Sequence, residues 1–388
     1  MNKNNTNIDY TLIFIVFLLG LVSCLTLYTV EPYLPANAPD NSYIRQAVWY
    51  IAGSILVAGV MLIDYDRFRQ VSWYLYGIGM ITLLMLFFGF PPQIIHTANN
   101  ATSWFIFPGI GTIQPAEFFK VILVIVLAHI MVKHNEKFQL RTNNSDLWLL
   151  FKIMLISLPP MGLIAVQPDL GGFLVLAAIV GCMVLVSGIR WRVLFAVTMI
   201  LLLFIGAAGV LSIMFPETVG ATLEESVFKH VESRFYGWLQ PEKYLDSGYQ
   251  LKKAMMAIGS GQLTGKGLRD FEVDVPERHT DMIFTAIAEQ FGFIGASIVI
   301  TLLFLLIYRL LYIALQSNDQ FGSFLVTGLI GMFAFQIFQN IGMSIQLLPI
   351  TGLPLPFLSY GGSSTLTYML AIGLALNIRS RTKQYMFD

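Results

Sequence analysis

The sequence predicts an all-α polytopic membrane protein of about ten transmembrane helices, with a large extracellular loop between helices 7 and 8. Three observations predict it. Of the 388 residues, 56% are hydrophobic and only 12% are charged, too few polar groups to clothe a soluble domain of this size. Mean hydropathy is +0.70. Apolar runs long enough to cross ~30 Å of hydrocarbon recur from one end of the chain to the other.

Those runs lie near residues 10–30, 46–63, 70–90, 115–132, 147–166, 170–188, 191–215, 282–314, 321–347 and 361–378. The first, YTLIFIVFLLGLVSCLTLYTV, exceeds the ~7–15-residue core of a secretory signal and follows a single lysine, so it reads as a retained helix. Basic residues in short loops favour the cytoplasmic side. Arg67 and Arg69 follow the second run, Lys133, Lys137 and Arg141 the fourth, Arg190 and Arg192 the sixth, Arg309 the eighth, and Arg379, Arg381 and Lys383 the last. Both termini are therefore expected in the cytoplasm. The stretch 216–281 is too long for the charge rule, and its exterior placement follows from helix parity.

The chain reads as one integral membrane domain, 1–388, with 216–281 inserted in it and no internal repeat. Cys24 and Cys182 both fall inside apolar runs, so no disulfide framework is legible. A formal net charge of zero lacks the basic footprint of a nucleic-acid partner. Within the insertion, ESVFKHVESRFYGWLQPEKYLDSGYQ places apolar and aromatic residues at helical spacing, which predicts short amphipathic helices at the membrane surface. AIGSGQLTGKGLRDF supplies glycines for a tight backbone of close approach. Its GSGQLTGKG portion resembles a phosphate loop only superficially, because no strand-to-helix context surrounds it.

Ionisable residues at membrane depth are costly and face a cavity or one another. In VPERHTDMIF (275–284), Asp281 stands at the mouth of the eighth run, with Pro276 stiffening the approach and Thr280 available as an N-cap. Ordinary capping and general-base chemistry are both open there. Glu117 and Lys120 lie one turn apart in IQPAEFFK, as a self-neutralising pair or as substrate ligands. Asp169 lies in QPDLGG, and Glu289 lies two turns into the eighth helix on a face similar to that of Asp281. The loop LLPITGLPLPFLSYGGSS contains Pro349, Pro354 and Pro356, then Ser359 and Tyr360, and cannot be a regular helix. Irregular backbone at that depth plugs the bundle or lines a polar cavity, and the Gly-Gly-Ser-Ser can present amides to an anion. Lys120, Arg234, Lys252, Lys253 and Arg278 supply exterior cations enough for a pyrophosphate.

Taken together, QPAEFFK, QPDLGG, ESRFYGWLQPEKY, GYQLKKAMMAIGSGQLTGKG, VPERHTDMIFTAIAEQFGFIG, NIGMSIQLLPITGLPLPFLSYGGSS and ALNIRSR resemble the SEDS family (shape, elongation, division and sporulation) over nearly the whole chain. The rod-shape elongation branch is the nearer likeness and the division branch the second. The resemblance implies a bacterial plasma-membrane peptidoglycan glycosyltransferase. Such an enzyme polymerises lipid II into β-1,4 glycan with inversion, using lipid II as both donor and acceptor and releasing undecaprenyl pyrophosphate on the extracytoplasmic side. One general base and cations for a good leaving group suffice for that displacement. Asp281 matches the family's loop aspartate and is the implied base. Lys120 and Arg234, in matching motifs, and Lys253 are implied pyrophosphate ligands. Glu117, Asp169 and Glu289 are implied to orient those cations or a divalent ion, Mg2+ or Mn2+. Trp104, His279, Ser359 and Tyr360 complete the implied substrate-binding set.

Two departures from the family pattern stand out. Trp104 in NATSWFIFPG lacks the usual preceding arginine, and Glu289-Gln290 replaces a common acid pair. The family also implies a class B penicillin-binding protein as partner, beside membrane lipid. Competing readings are a lipid II flippase and a noncatalytic scaffold for that partner. A flippase needs a polar path across the whole bilayer, whereas the ionisable residues here gather at the exterior.

Overall fold

The computed structural model describes residues 8–35, 39–98, 101–107, 111–214, 234–235, 237–239, 241–242 and 245–382. All ten predicted apolar runs are helical: α1 (Tyr10–Val30), α2 (Ser42–Leu62), α3 (Tyr65–Phe88), α4 (Pro115–Lys137), α5 (Asn143–Val166), α6 (Leu170–Val186), α7 (Trp191–Met214), α9 (Ile283–Gln316), α10 (Gln320–Ser344) and α11 (Gly362–Arg381). The insertion contributes α8 (Leu245–Ser260). Among the described residues, seven helices are long and apolar enough to cross a membrane, and α6 is a shorter apolar helix.

Several starts follow from the sequence. Asp9 accepts from Leu12 N at 3.0 Å, Thr142 and Ser145 form a reciprocal capping box, and Asp319 accepts from Gly322 N. Pro115 occupies the first turn of α4, where its missing N–H leaves no helical bond unmade. Burial then orders the bundle. In α4, 83% of the most apolar stretch is buried, against 17% in α2 and 22% in α3, so α4 is the central helix and α2 and α3 present most of their surface to lipid. α4 packs against α3, α10, α11 and α6, while α11 packs on α2, and α10 on α6 and α9.

One end of the bundle is tied by ion pairs. Arg309 at the end of α9 meets Asp9 before α1 at 2.5 Å, Arg381 meets Asp64 at 3.2 Å, and Arg69 meets Glu136 at 2.8 Å. Arg141 reaches the fully buried Asp146 at 3.2 Å. The basic turns read from the sequence thus share a face with the start of α1 and the end of α11. Asp281, before the first residue of α9, lies at the opposite end of a 34-residue helix from Arg309.

Helix α9 is broken at Gly292, whose φ of 62° and ψ of −161° are non-helical. The break frees backbone groups that hydrocarbon cannot satisfy. The glycine-rich loop after α8 satisfies them. Lys266 N and Gly267 N donate to the carbonyls of Glu289 and Gln290 at 3.0 and 3.1 Å, while Phe293 N and Ile294 N donate to Gln262 O and Leu263 O at 2.9 and 3.2 Å. Gly265, at φ +80°, lies so close that a Cβ would collide with the Gln290 carbonyl. This is the close approach that the glycines predict.

One element is added to the expected fold and one expectation changes. To the predominantly helical fold expected from the sequence the structure adds one small antiparallel sheet in the order β1 (Ile95–Ala98), β2 (Ala101–Phe107), β3 (Gly111–Ile113). The short run ATSWFIF ends in four apolar residues and so carries no strand signal distinct from the apolar sequence around it. Thr280 is not an N-cap: α9 starts at Ile283 with Met282 at the cap and no side-chain bond, and the Thr280 hydroxyl donates to Glu277 Oε2 at 2.8 Å instead. Much of the predicted amphipathic stretch 225–250, namely 225–233, 236, 240 and 243–244, lies outside the described residues.

Candidate active site

At the end of the bundle opposite the basic turns, a cavity of about 160 Å³ is lined by Arg234, Trp238, Gln250, Leu251, Asp281, Ile350 and Gly352. It is smaller than the ~300–1,000 Å³ that holds a whole drug-sized ligand, with room for only one group of a larger molecule. Three separate segments build it: the insertion with α8, the 275–282 turn, and the proline-rich loop 345–361. Each wall has an anchor. The Trp238 indole donates to Gln346 O at 2.9 Å, Arg234 Nη1 donates to Thr351 O at 2.8 Å, and Asn340 on α10 donates to both Asp281 O and Leu353 O.

Asp281 is half-buried, yet its Oδ1 is enclosed and has no hydrogen-bond partner among the described residues. A Cβ on Gly352 would stand 3.8 Å from the other carboxylate oxygen, so glycine keeps that wall back. Loss of hydration, with Glu277 adding to it, pushes the Asp281 carboxyl from an ordinary 3.8 up to about 7. The amides of Asp281 and Met282 and the Arg234 guanidinium oppose this shift. The group therefore exchanges a proton near neutrality, the property a general base needs. Burial draws the Arg234 pKa down while the charges of Asp169 and Asp281 hold it up, leaving a cation flanked by two acids.

The other predicted residues fall into three places. Asp169 caps α6, accepting from Gly172 N at 2.7 Å and from Gln114 Nε2 at 3.2 Å, and feels Arg234. Glu117 and Lys120 pair at 2.6 Å inside the bundle, with side chains 8% and 1% exposed, and are not on the cavity wall. Glu289 faces away from Asp281. It binds Arg278 at 2.7 Å and accepts from Glu272 N and Val273 N at 2.9 and 3.2 Å, so it shapes the loop that leads to the 275–282 turn. The expected similarity of face fails because Asp281 precedes the helix and is not set by helical spacing.

His279, Tyr360 and Ser359 lie on the far side of that turn. Tyr360 N donates to His279 O at 2.9 Å, the two rings are 6.0 Å apart, and the Ser359 hydroxyl accepts from Leu355 N at 2.8 Å. Burial lowers the His279 pKa against the pull of Glu277. Lys253, on α8, sits 5.4 Å over the Tyr249 ring, and Trp104 lies half-buried in β2 opposite His96. Ser103, where the arginine is missing, donates to Gln167 O at 3.3 Å. Gln290 accepts from Thr29 at 3.0 Å in the core. Both departures are thus filled by neutral buried contacts.

Sequence reasoning passed over Trp238, Gln250, Leu251, Ile350 and Asn340. The neighbouring motifs contain all of them, but nothing in their spacing marks which side faces the cavity. No three His, Cys, Asp or Glu side chains gather as a metal site among the described residues, and the acids nearest the cavity are committed as described, apart from Asp281.

Comparison with known proteins agrees with this architecture. The family model FTSW_RODA_SPOVE, described as cell cycle protein, matches residues 7–384. A probable peptidoglycan glycosyltransferase FtsW from Trichlorobacter lovleyi is 31% identical over 384 residues, covering 97% of this chain and 94% of the relative. A peptidoglycan glycosyltransferase RodA from Treponema pallidum is 30% identical over 446 residues, covering 97% and 98%. A solved chain described under structural coordination of polymerization and crosslinking by a peptidoglycan synthase complex superposes with a TM-score of 0.77 at 26% identity, covering 98% of this chain and 99% of that one. With the match running almost end to end and the relatives aligned over nearly their full lengths, this chain belongs to the FtsW/RodA/SpoVE family of cell cycle proteins.

Proposed function

We propose that the protein is an inverting peptidoglycan glycosyltransferase that polymerises lipid II, with Asp281 as its base. The observation that carries this reading is the Asp281 carboxyl itself: uncommitted to capping, enclosed in a cavity with Arg234, and poised to titrate at about 7. The 4-hydroxyl of the acceptor sugar gives its proton to Asp281 as its oxygen forms the new bond to the donor's anomeric carbon. The bond from that carbon to phosphate breaks, and undecaprenyl pyrophosphate leaves with the electron pair. Arg234, fixed to Thr351 O, supplies positive charge as the leaving group develops it. Lys253 on α8 is proposed as a second cation for the same anion, and His279, Ser359, Tyr360 and Trp104 are proposed to shape the substrate surface around it.

Lys120, Glu117, Asp169 and Glu289 act by support. The Glu117–Lys120 pair sits within the central helix, Asp169 orients Arg234, and Glu289 holds Arg278 and the approach to Asp281. A divalent cation, Mg2+ or Mn2+, is proposed to enter with the substrate's phosphates and not on a protein carboxylate cluster.

Orientation follows the same reading. The basic turns and both chain ends are proposed to be cytoplasmic, which puts the cavity on the extracytoplasmic side where lipid-linked sugars stand above the bilayer. The synthase-complex likeness supports a class B penicillin-binding protein as partner. An elongation role is our choice within the family. Relatives named FtsW and RodA match about equally, at 31% and 30%, so the test is depletion in a rod-shaped host: rounding supports elongation and filamentation supports division.

The activity is tested with purified protein and labelled lipid II, alone and with the cognate class B penicillin-binding protein, with products resolved by size. Long glycan from wild type and none from a folded Asp281→Asn variant is the expected result. Translocation of lipid II across vesicles without glycan would replace this reading with the flippase.

A further inference from the structure

Asn340 lies in the penultimate turn of α10 and is fully buried. Its Nδ2 donates to Asp281 O at 2.6 Å and to Leu353 O at 2.7 Å. Those two carbonyls belong to the two loops that face each other across the cavity, one bringing Asp281 and the other Ile350 and Gly352. We propose that Asn340 is a positioning residue that sets the separation of these two walls and thereby holds the Asp281 carboxylate in register with bound substrate. The proposal rests on the reading of Asp281 as the base.

The amide is an awkward choice for mere packing. Its Oδ1 is buried without a partner among the described residues, an unfavourable state that a leucine of nearly the same shape would avoid. What leucine cannot do is donate two hydrogen bonds. The platform behind the amide is rigid, since Ser344 Oγ donates to Asn340 O at 2.9 Å and the adjacent Gln339 donates to Pro349 O at 2.9 Å. The last turns of α10 therefore fix the proline-rich loop at two points and the Asp281 turn at one.

Without the amide, two carbonyl oxygens face each other with no donor between them. They must find water, and the walls part. The charged groups that face the Asp281 carboxyl are Glu277 from its own turn and Arg234 from the insertion. Neither touches Asn340 in these bonds, so a change in Asp281 titration on removing the amide reports hydration of the cavity. A residue that served folding alone would leave that titration where it is.

The test is an infrared titration of the Asp281 carboxyl, assigned by subtraction of Asp281→Asn, in wild type and Asn340→Leu, with Asn340→Ala carried in parallel should the leucine variant not fold. The expected result is a midpoint lowered by about one pH unit or more in the variant, with lipid II polymerisation slowed roughly 10²-fold, as a displaced catalytic group costs. A variant titration that overlays wild type overturns the proposal, whatever happens to the rate. Should wild type make no glycan, the base reading fails, while the infrared titration still decides whether Asn340 positions Asp281.

Discussion

In the proposed mechanism, Asp281 and Arg234 concentrate the chemistry. A carboxylate held at an ordinary pKa is a weak base, and one titrating near 7 is matched to neutral conditions. The polymerisation rate is expected to rise with pH up to about 7 and to level off above it, because the protonated carboxyl that predominates at lower pH accepts no proton. A pH–rate profile checks it. The same shift has a stability sign. Folding raises this pKa from 3.8 to about 7, so the carboxyl's contribution to stability is full below 3.8 and is lost as pH rises through 7. Asp281→Asn should therefore melt above wild type at alkaline pH and level with it in acid, as thermal unfolding in detergent will show. Asp281 was legible as a candidate from VPERHTDMIF, but capping and catalysis were not separable there. Only the observed helix start at Ile283 frees the carboxylate.

Among the elements, the broken helix α9 and its glycine splint make the sharpest case. Gly265→Ala forces a Cβ against the Gln290 carbonyl in a backbone conformation that side chains disfavour, at a cost of roughly 1–3 kcal/mol or more. Gly59→Ala in α2, which meets nothing within 4 Å, is the control and should leave the melting temperature unchanged or slightly higher. The ten apolar runs and the glycine loop were readable because hydropathy and backbone freedom are local properties. The β1–β3 sheet was not, since short apolar strands beside long apolar helices carry no distinct signal. Glu289 shows the same limit: its pairing with Arg278 depends on how a loop folds back, which helical spacing does not encode.

Over the whole molecule, a central helix carries a buried ion pair while the proposed reacting groups sit at one end of the bundle. Removing one member of a buried pair leaves an uncompensated charge, and ~3–5 kcal/mol is the usual cost. Lys120→Met should destabilise the bundle by about that much, and Glu117→Gln with Lys120→Met together should recover most of it, read as two melting temperatures. A direct catalytic role for Lys120 predicts a different pattern, with activity lost in the double variant although stability returns. The family and the bundle follow from sequence patterns spread over the whole chain, whereas the cavity joins residues from 234 to 352 that only the fold assembles.

The most direct measurement is the rate of glycan formation from labelled lipid II by wild type and Asp281→Asn, each with its class B penicillin-binding protein, between about pH 5 and pH 9. Wild-type glycan formation that climbs through about 7, with the variant slower by roughly 10²–10⁴-fold throughout, is the predicted result. A folded variant that polymerises at the wild-type rate, with the same pH dependence, would contradict the assignment of Asp281 as the base.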